Sequence, residues 1–260
     1  MVLRLAFLSL VLLPFTLVGL PVQLVVLALR LPEWWVLPLV FFKIAAFGLG
    51  LRVRVVGEPL QKAPVLLVAN HTGWLDIIAI ASKIPVSFVA KSDVGGWPII
   101  GWLARLQKTV FVDRTRRTDT GRTSGEMRDR LASGTPVLLF AEGTSDIGTH
   151  VLPFRSALLG AAMDDKTLIQ PLAIAYTAIS GLPLSRHERP VLAWVGDMAL
   201  GDNLWSILKS GPKDITIALG TPFAGNGDRK ASAQRAHAQV RQMLNALNRR
   251  HPLPNPQDLV

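Results

Sequence analysis

Cysteine is absent from the 260 residues of this chain, and tyrosine occurs once. The first absence excludes disulfides, a thiolate nucleophile and a Cys-bound metal, so an acyl group handled here would not rest on cysteine sulfur. The second leaves little for base stacking, and the basic residues between Arg105 and Arg130 are not interleaved with aromatics, which excludes nucleic acid as the natural partner. His150, His187, His237 and His251 fall into no HExxH or similar spacing, so no metal site is expected. There is no GxSxG elbow, since GRTSG at 121–125 centres on Thr123, and there is no P-loop or dinucleotide fingerprint. Charge is missing from one long stretch: no acidic or basic residue lies between Arg4 and Arg30.

Elsewhere charge is plentiful and one-sided, with 28 Lys and Arg against 18 Asp and Glu, a net +10. Basic charge beside a very apolar N-terminus points to an anionic lipid surface. The uncharged run exceeds the roughly 20 helical residues that cross a hydrocarbon core of about 30 Å. Pro14, Pro21 and Gly19 within it predict a kinked or broken helix. A second apolar stretch, Trp34 to Phe42, continues past Lys43 as IAAFGLGL, with Pro32 and Pro38 as punctuation. Two arrangements fit: a span followed by an interfacial helix, or a helical hairpin in one leaflet with Trp34 and Trp35 at headgroup level. A cleaved signal peptide fits poorly, because the apolar region is too long and no small-x-small site follows it. The plain alternative is a buried helical hairpin in a soluble protein.

Past residue 50 the pattern becomes that of an α/β domain. Arg52–Val56 alternates and ends at Gly57; 64–70, 85–91, 110–114, 136–143, 168–176, 192–196 and 214–220 have strand length and composition. Helices are expected over 77–81, 95–106, 120–134 and 229–249, the last with Ala236, Val240, Met243, Leu244 and Leu247 at three- and four-residue spacing. Strands separated by helices imply a mixed, partly parallel sheet flanked by helices. The expected organisation is an N-terminal membrane-associated helical segment over 1–50, an α/β domain over 51–250 and an irregular tail over 251–260.

The stretch NHTGWLD follows the apolar run PVLLVA and sets His71 and Asp76 five positions apart. A histidine just past a strand end sits near the mouth of an α/β sheet, where sites are commonly placed. An aspartate holding the Nδ1 proton leaves Nε2 free to take a hydroxyl proton as that oxygen attacks a carbonyl. The histidine as a helix cap near a structural aspartate is the other reading of the same pair.

Four motifs in order resemble the glycerophospholipid acyltransferase family. NHTGWLD is similar to its first motif, whose His-x4-Asp dyad is catalytic; FVDR at Phe111–Arg114 to the second; EGTS at Glu142–Ser145 to the third; and Pro171 in LIQPLAI to the fourth. The resemblance spans roughly residues 50 to 220. It implies His71 as general base and Asp76 as its orienting partner. It also implies an acceptor head held by Arg114, whose fork can meet two oxygens, together with Glu142, Gly143 and Thr144, with Glu142 holding the site loop. The acyl donor would be an acyl carrier protein or coenzyme A thioester, with no bound cofactor, and Arg105, Lys108, Arg116 and Arg117 could receive either carrier. The location implied is a bacterial inner membrane, with the catalytic domain on the cytoplasmic side.

The third motif departs from the family pattern Phe-Pro-Glu-Gly-Thr-Arg, reading Phe140-Ala141-Glu142-Gly143-Thr144-Ser145 and then Asp146. Ser145 cannot neutralise a phosphate, and Asp146 would repel one. Members that acylate lyso-ornithine lipid, whose acceptor has no phosphate, are similar in this alteration. Arg155 offers a compensating cation. The expected acceptor is therefore 1-acyl-sn-glycerol-3-phosphate, the commoner substrate of the family, with lyso-ornithine lipid as the close alternative and a non-catalytic membrane lipid-binding protein as a further one.

Overall fold

The computed structural model describes residues 1–62, 64–113, 119–164, 166–196 and 198–254, the side chains of residues 119 and 120 excepted. Helix α1 (Val2–Phe7), a π-helical turn (Leu8–Leu12) and α2 (Leu13–Ala28) run on as one apolar helix of 27 residues, long enough to cross a membrane. Of the kink or break expected from Pro14, Pro21 and Gly19, an outright break is not seen: the helix continues through all three. The π-turn lies just ahead of Pro14 and accommodates the missing donor by a local change of winding, and Pro21 stands inside α2 without ending it. Helix α3 (Val36–Gly48) returns along this helix and brings the Phe47 ring to 5.0 Å from that of Phe7.

The hairpin is pinned to the rest of the chain near both of its ends. At one, the Arg4 guanidinium donates to the Ser210 carbonyl at 2.6 Å. At the other, the buried Gln23 amide donates to the carbonyls of Trp34 (2.9 Å) and Leu106 (3.2 Å). Gln23 is a polar side chain in an otherwise apolar helix, and the two acceptors satisfy its amide nitrogen while its carbonyl oxygen is buried without a partner among the described residues.

The domain begins with β1 (Leu51–Gly57), β2 (Val65–Ala69), α4 (Trp74–Ala81) and β3 (Ser87–Lys91). Then follow α5 (Ser92–Gly95), α6 (Ile100–Leu106), β4 (Val110–Val112), α7 (Asp119–Ala132) and β5 (Val137–Phe140). After a 3-10 helix (Ser156–Ala162) come β6 (Leu168–Ile179), β7 (Leu182–Pro183), α8 (Arg189–Leu192), α9 (Leu200–Lys209), β8 (Lys213–Leu219), β9 (Phe223–Ala224) and α10 (Arg229–Arg249). Among the described residues the strands form one sheet in the order β1-β8-β6-β2-β5-β3-β4, with β7 and β9 also paired to β6. Along that path only β6 and β8 run antiparallel.

Every residue of β2 and β5 is buried, as parallel strands covered on both faces must be. Alternation divides them between two cores. Val65, Leu67 and Ala69 join α3, α4 and α9 on one side, while Leu66 and Val68 join α7 and the start of α10 on the other. The C-terminal end of β2, at the centre of the sheet, is thereby fixed from both faces.

Two expectations need correction. Residues 192–196 are not a strand: α8 ends at Leu192, and the backbone of Trp194 bonds to loops rather than to a ladder. The helix expected over 95–106 is divided into α5 and α6 by Pro98 and by a γ-turn at Ile99, where the Ile100 N–H donates to the Pro98 carbonyl at 2.6 Å. Gly101 permits the division, because a Cβ there would lie 2.4 Å from the Gly95 carbonyl oxygen.

Candidate active site

Strand β2 ends in a side chain that imitates backbone. The Asn70 amide donates to the Ile174 carbonyl at 3.0 Å and accepts the Ile174 N–H at 2.9 Å, extending the ladder to β6 by one rung. His71 therefore leaves the sheet from a fixed point. Its backbone N–H donates to Glu142 Oε2 at 2.8 Å, and its carbonyl accepts the Asp146 N–H at 2.9 Å.

The ring is fixed on two further sides. Phe140 is the register partner of Ala69, so its ring stands beside His71, with centroids 3.9 Å apart and planes 22° from parallel. His71 Nδ1 lies 2.8 Å from Asp76 Oδ2, and the histidine side chain keeps 20% of its surface exposed while the aspartate keeps none. The Nδ1 contact leaves Nε2 as the nitrogen that can face a substrate.

His71 is not the helix cap, since α4 has Gly73 at that position, and it is Asp76 that serves the helix start. It sits in the first turn of α4, where Oδ2 accepts the N–H groups of Thr72 (2.5 Å) and Gly73 (3.0 Å), satisfying orphan donors at the helix start. It also meets the histidine and takes the Tyr176 hydroxyl on Oδ1 at 2.6 Å. Burial, with the Asp76 charge beside it, pushes the Tyr176 phenol well above its ordinary pKa, so Tyr176 stays a protonated donor.

Glu142 is 3% exposed and accepts two backbone N–H groups, His71 on Oε2 and Leu152 on Oε1, both at 2.8 Å. Burial pushes its carboxyl up to about 8 against the pull of those two bonds, and the nearby Asp146 and Asp76 push in the same direction. It is placed to clamp the His71 backbone. Gly143 follows with φ +73°, and a Cβ there would lie 3.0 Å from Arg155 Nε, so the arginine stem runs against the third motif. Arg155 and Thr144 are exposed, and Arg155 makes no side-chain hydrogen bond or ion pair among the described residues. Arg114, Arg116 and Arg117 lie outside the described residues. Of the other two proposed carrier contacts, Arg105 lies 5.6 Å over the Phe111 ring, while Lys108 Nζ sits 4.6 Å over Trp34, with its pKa lowered by burial and by Arg130.

Ser145, the departure in the third motif, donates its hydroxyl to the Trp194 carbonyl. The Trp194 N–H donates to the Thr72 carbonyl at 2.9 Å, and a Cβ on Gly73 would lie 2.9 Å from Trp194 Cβ. The indole of Trp74 donates to Asn203 at 2.7 Å, and Asn203 in turn donates to the Ala193 carbonyl at 2.9 Å. The 193–194 segment thus closes the wall behind the dyad. Asp146 Oδ2 accepts the Gly148 N–H at 3.1 Å and lies 3.7 Å from His150 Nδ1.

Sequence reasoning did not single out Tyr176, Asn70, Phe140 or Trp194 as site residues. Tyr176 had a signal, as the only tyrosine, set at the end of an apolar strand. Trp194 had none, because its segment resembles a strand. The arrangement brings together a ring nitrogen open to substrate, a buried carboxylate orienting it and a protonated phenol fixing that carboxylate. Chemically, such an arrangement can serve as a general base toward a hydroxyl.

The family model described as Acyltransferase matches residues 52–175. The chain is 42% identical to a lyso-ornithine lipid O-acyltransferase of Brucella abortus, over 84% of this chain and 86% of that one. It is 40% identical to a protein of the same description from Rhizobium meliloti, over 93% and 86%. A crystal structure of a 1-acyl-sn-glycerophosphate (LPA) acyltransferase from Thermotoga maritima shares the fold, with a TM-score of 0.58 at 21% identity over 80% of this chain and 77% of that one.

Proposed function

We propose, from the premise that this chain belongs to the glycerophospholipid acyltransferase family, that it O-acylates lyso-ornithine lipid. Membership gives the reaction class, transfer of a fatty acyl group to the free hydroxyl of a lysolipid. The acceptor reading is carried by Ser145. Where the family pattern has an arginine, this chain has a short neutral donor engaged with the Trp194 carbonyl, followed by the Asp146 carboxylate. A phosphate monoester would meet repulsion there, whereas the ammonium of an ornithine head would be attracted. The activity named for the Brucella and Rhizobium relatives supports the same acceptor.

In the proposed mechanism His71 Nε2 takes the proton of the acceptor hydroxyl as its oxygen attacks the thioester carbonyl. The tetrahedral intermediate then collapses, the C–S bond breaks and the leaving thiolate collects the proton from His71. Asp76 holds the ring in the tautomer with Nδ1 protonated and stabilises the imidazolium formed in between. Glu142, Phe140 and Tyr176 fix positions and exchange no proton with the substrate. The donor is an acyl carrier protein or coenzyme A thioester.

The helical hairpin lies in one leaflet of the inner membrane with the domain on the cytoplasmic side, so neither lysolipid nor product leaves the bilayer. The supporting observation is that Arg4 and Gln23, near opposite ends of one helix, both return to the domain.

A second reading, with 1-acyl-sn-glycerol-3-phosphate as acceptor, is favoured by Arg155, an exposed cation beside Gly143. One experiment separates the two. Detergent-solubilised protein receives an acyl thioester with each lysolipid in parallel, and free thiol and lipid product are measured beside His71→Ala. Product from the ornithine acceptor alone is expected; product from the phosphate acceptor alone reverses the assignment. Undiminished turnover in His71→Ala removes the dyad, and lysolipid binding without thiol release in either protein indicates a non-catalytic lipid binder.

A further inference from the structure

The turn between α5 and α6 exposes apolar surface that the catalytic reading does not use. Ile99 is 74% exposed, Trp102 48% and Ile100 38%, with Pro98 exposed beside them. Such a set of large apolar side chains on a short turn marks a contact surface. Ile99 adopts φ +64°, a conformation that β-branched residues avoid, and it does so with its side chain directed to solvent rather than packed. The tight approach of Gly101 to Gly95 holds the turn in this shape.

Its position identifies the occupant. The carbonyl of Leu106, at the far end of α6, accepts Gln23 of the apolar helix α2. Helix α6 rises only about 10 Å over its seven residues, so Ile100 and Trp102 lie within roughly that distance of α2, part of the apolar N-terminal helix long enough to enter a membrane. Helix α2 itself exposes Leu24, Val25 and Leu29. Arg105, exposed on α6, puts positive charge at the border of the turn's apolar surface, where anionic headgroups would lie. Behind the turn, the Trp97 ring stands edge-on to Trp194 at 5.9 Å, and Trp194 is the wall against Thr72 and Gly73.

We propose that residues 97–102 form a second membrane contact, seating Ile99, Ile100 and Trp102 in the headgroup–acyl boundary of the leaflet that holds α2. The catalytic domain is then held to the bilayer at two places, and the mouth beside His71 faces lipid rather than water. The proposal rests on the membrane association of the N-terminal helix and is independent of the acceptor's identity.

The absence of cysteine makes the test direct. Ile99→Cys, Trp102→Cys and, as a control, Gln234→Cys on the exposed face of α10 each carry one polarity-sensitive label. Each protein is recovered by flotation with vesicles of phosphatidylglycerol and phosphatidylethanolamine and quenched with aqueous iodide. In the vesicles, quenching at 99 and 102 is expected to be severalfold weaker than at 234, which stays in water. Ile99→Asp is expected to lower turnover on vesicle-borne acceptor about tenfold and leave turnover in mixed micelles unaltered. Equal quenching at 99, 102 and 234, or failure to float, overturns the proposal. Since quenching does not read acyl transfer, failure of the catalytic assignment would leave this result standing.

Discussion

The Tyr176 hydroxyl and the His71 ring divide the Asp76 carboxylate between them, Tyr176 on Oδ1 at 2.6 Å and His71 on Oδ2 at 2.8 Å. Because Tyr176 lies 100 residues from Asp76, on β6, this contact ties the dyad to the centre of the sheet. Tyr176→Phe leaves Oδ1 buried without that donor. The expected cost is about 1–3 kcal/mol of stability and a fall in kcat of roughly 10- to 100-fold from misplacement of the imidazole. Acceptor KM should hardly move. A kcat that matches wild type would assign Tyr176 to the fold alone.

Gly73 has ordinary extended backbone, so its requirement is space and not conformation. A Cβ would lie 2.9 Å from both Cβ and N of Trp194, neither of which is a flexible chain end. Gly73→Ala should therefore displace the 193–194 segment, costing about 1–3 kcal/mol as overpacking does. Loss of activity should accompany the lower urea midpoint, and an unchanged midpoint would show that the wall yields freely.

Much of this was legible in the sequence for physical reasons. Continuous apolar runs such as PVLLVA and PVLLF have the length and composition of strands buried on both faces, and their ends locate His71 and Glu142. The dyad spacing was visible, but not that Asp76 also caps α4, since capping and orienting demand the same residue at the same place. Segment 192–196 has strand composition, yet no neighbouring strand offers it a ladder, and loop carbonyls and hydroxyls take its backbone instead. Pro14 predicts a kink or a break because local sequence shows the missing donor and not the π-helical turn ahead of it.

Glu142 gives a pH signature of definite sign. Its carboxyl ordinarily titrates at 4.5 and is pushed up to about 8 in the folded protein. Between those values the folded state holds a proton that the unfolded state has released, so stability falls as pH rises through this window. Glu142→Gln leaves one acceptor oxygen for the His71 and Leu152 N–H groups, which meet two different oxygens of Glu142. It should lower stability overall and flatten the decline between pH 5 and 8, within the window set by that shift. Denaturant titrations of both proteins across that range check the sign; parallel curves would place the shift elsewhere.

Lys213 acts in the opposite direction and in a different window. It is fully buried at the start of β8 and donates to the Leu49 and Ile207 carbonyls at 3.1 and 2.5 Å. Burial, with the Arg4 charge as a smaller contribution, pushes it down from 10.5 to about 7. Between those values the unfolded chain binds a proton that the folded chain does not, so stability rises with pH. Lys213→Met should remove that rise, seen as a flatter urea midpoint between pH 8 and 10, inside the window of the shift. An unchanged slope would show that the ammonium stays charged against its two carbonyls.

Acceptor choice is the point at which Ser145 and Arg155 pull in different directions, and two substitutions weigh them. Ser145→Arg restores the cation of the family pattern but removes the bond to the Trp194 carbonyl and sets a guanidinium next to Asp146. Arg155→Ala removes an exposed guanidinium that meets no partner among the described residues, so its effect on stability should stay within about 0.5 kcal/mol. If the ornithine assignment holds, Arg155→Ala leaves kcat/KM for that acceptor near wild type. Ser145→Arg should shift the phosphate-to-ornithine ratio of kcat/KM by about tenfold or more toward phosphate, the scale of one charge-assisted contact made or lost. If Arg155 instead binds a phosphate, Arg155→Ala cuts acylation of the phosphate acceptor through KM, and wild type already prefers that acceptor. The ratio of the two specificity constants in three proteins therefore decides whether the serine reports the substrate or the arginine compensates for it.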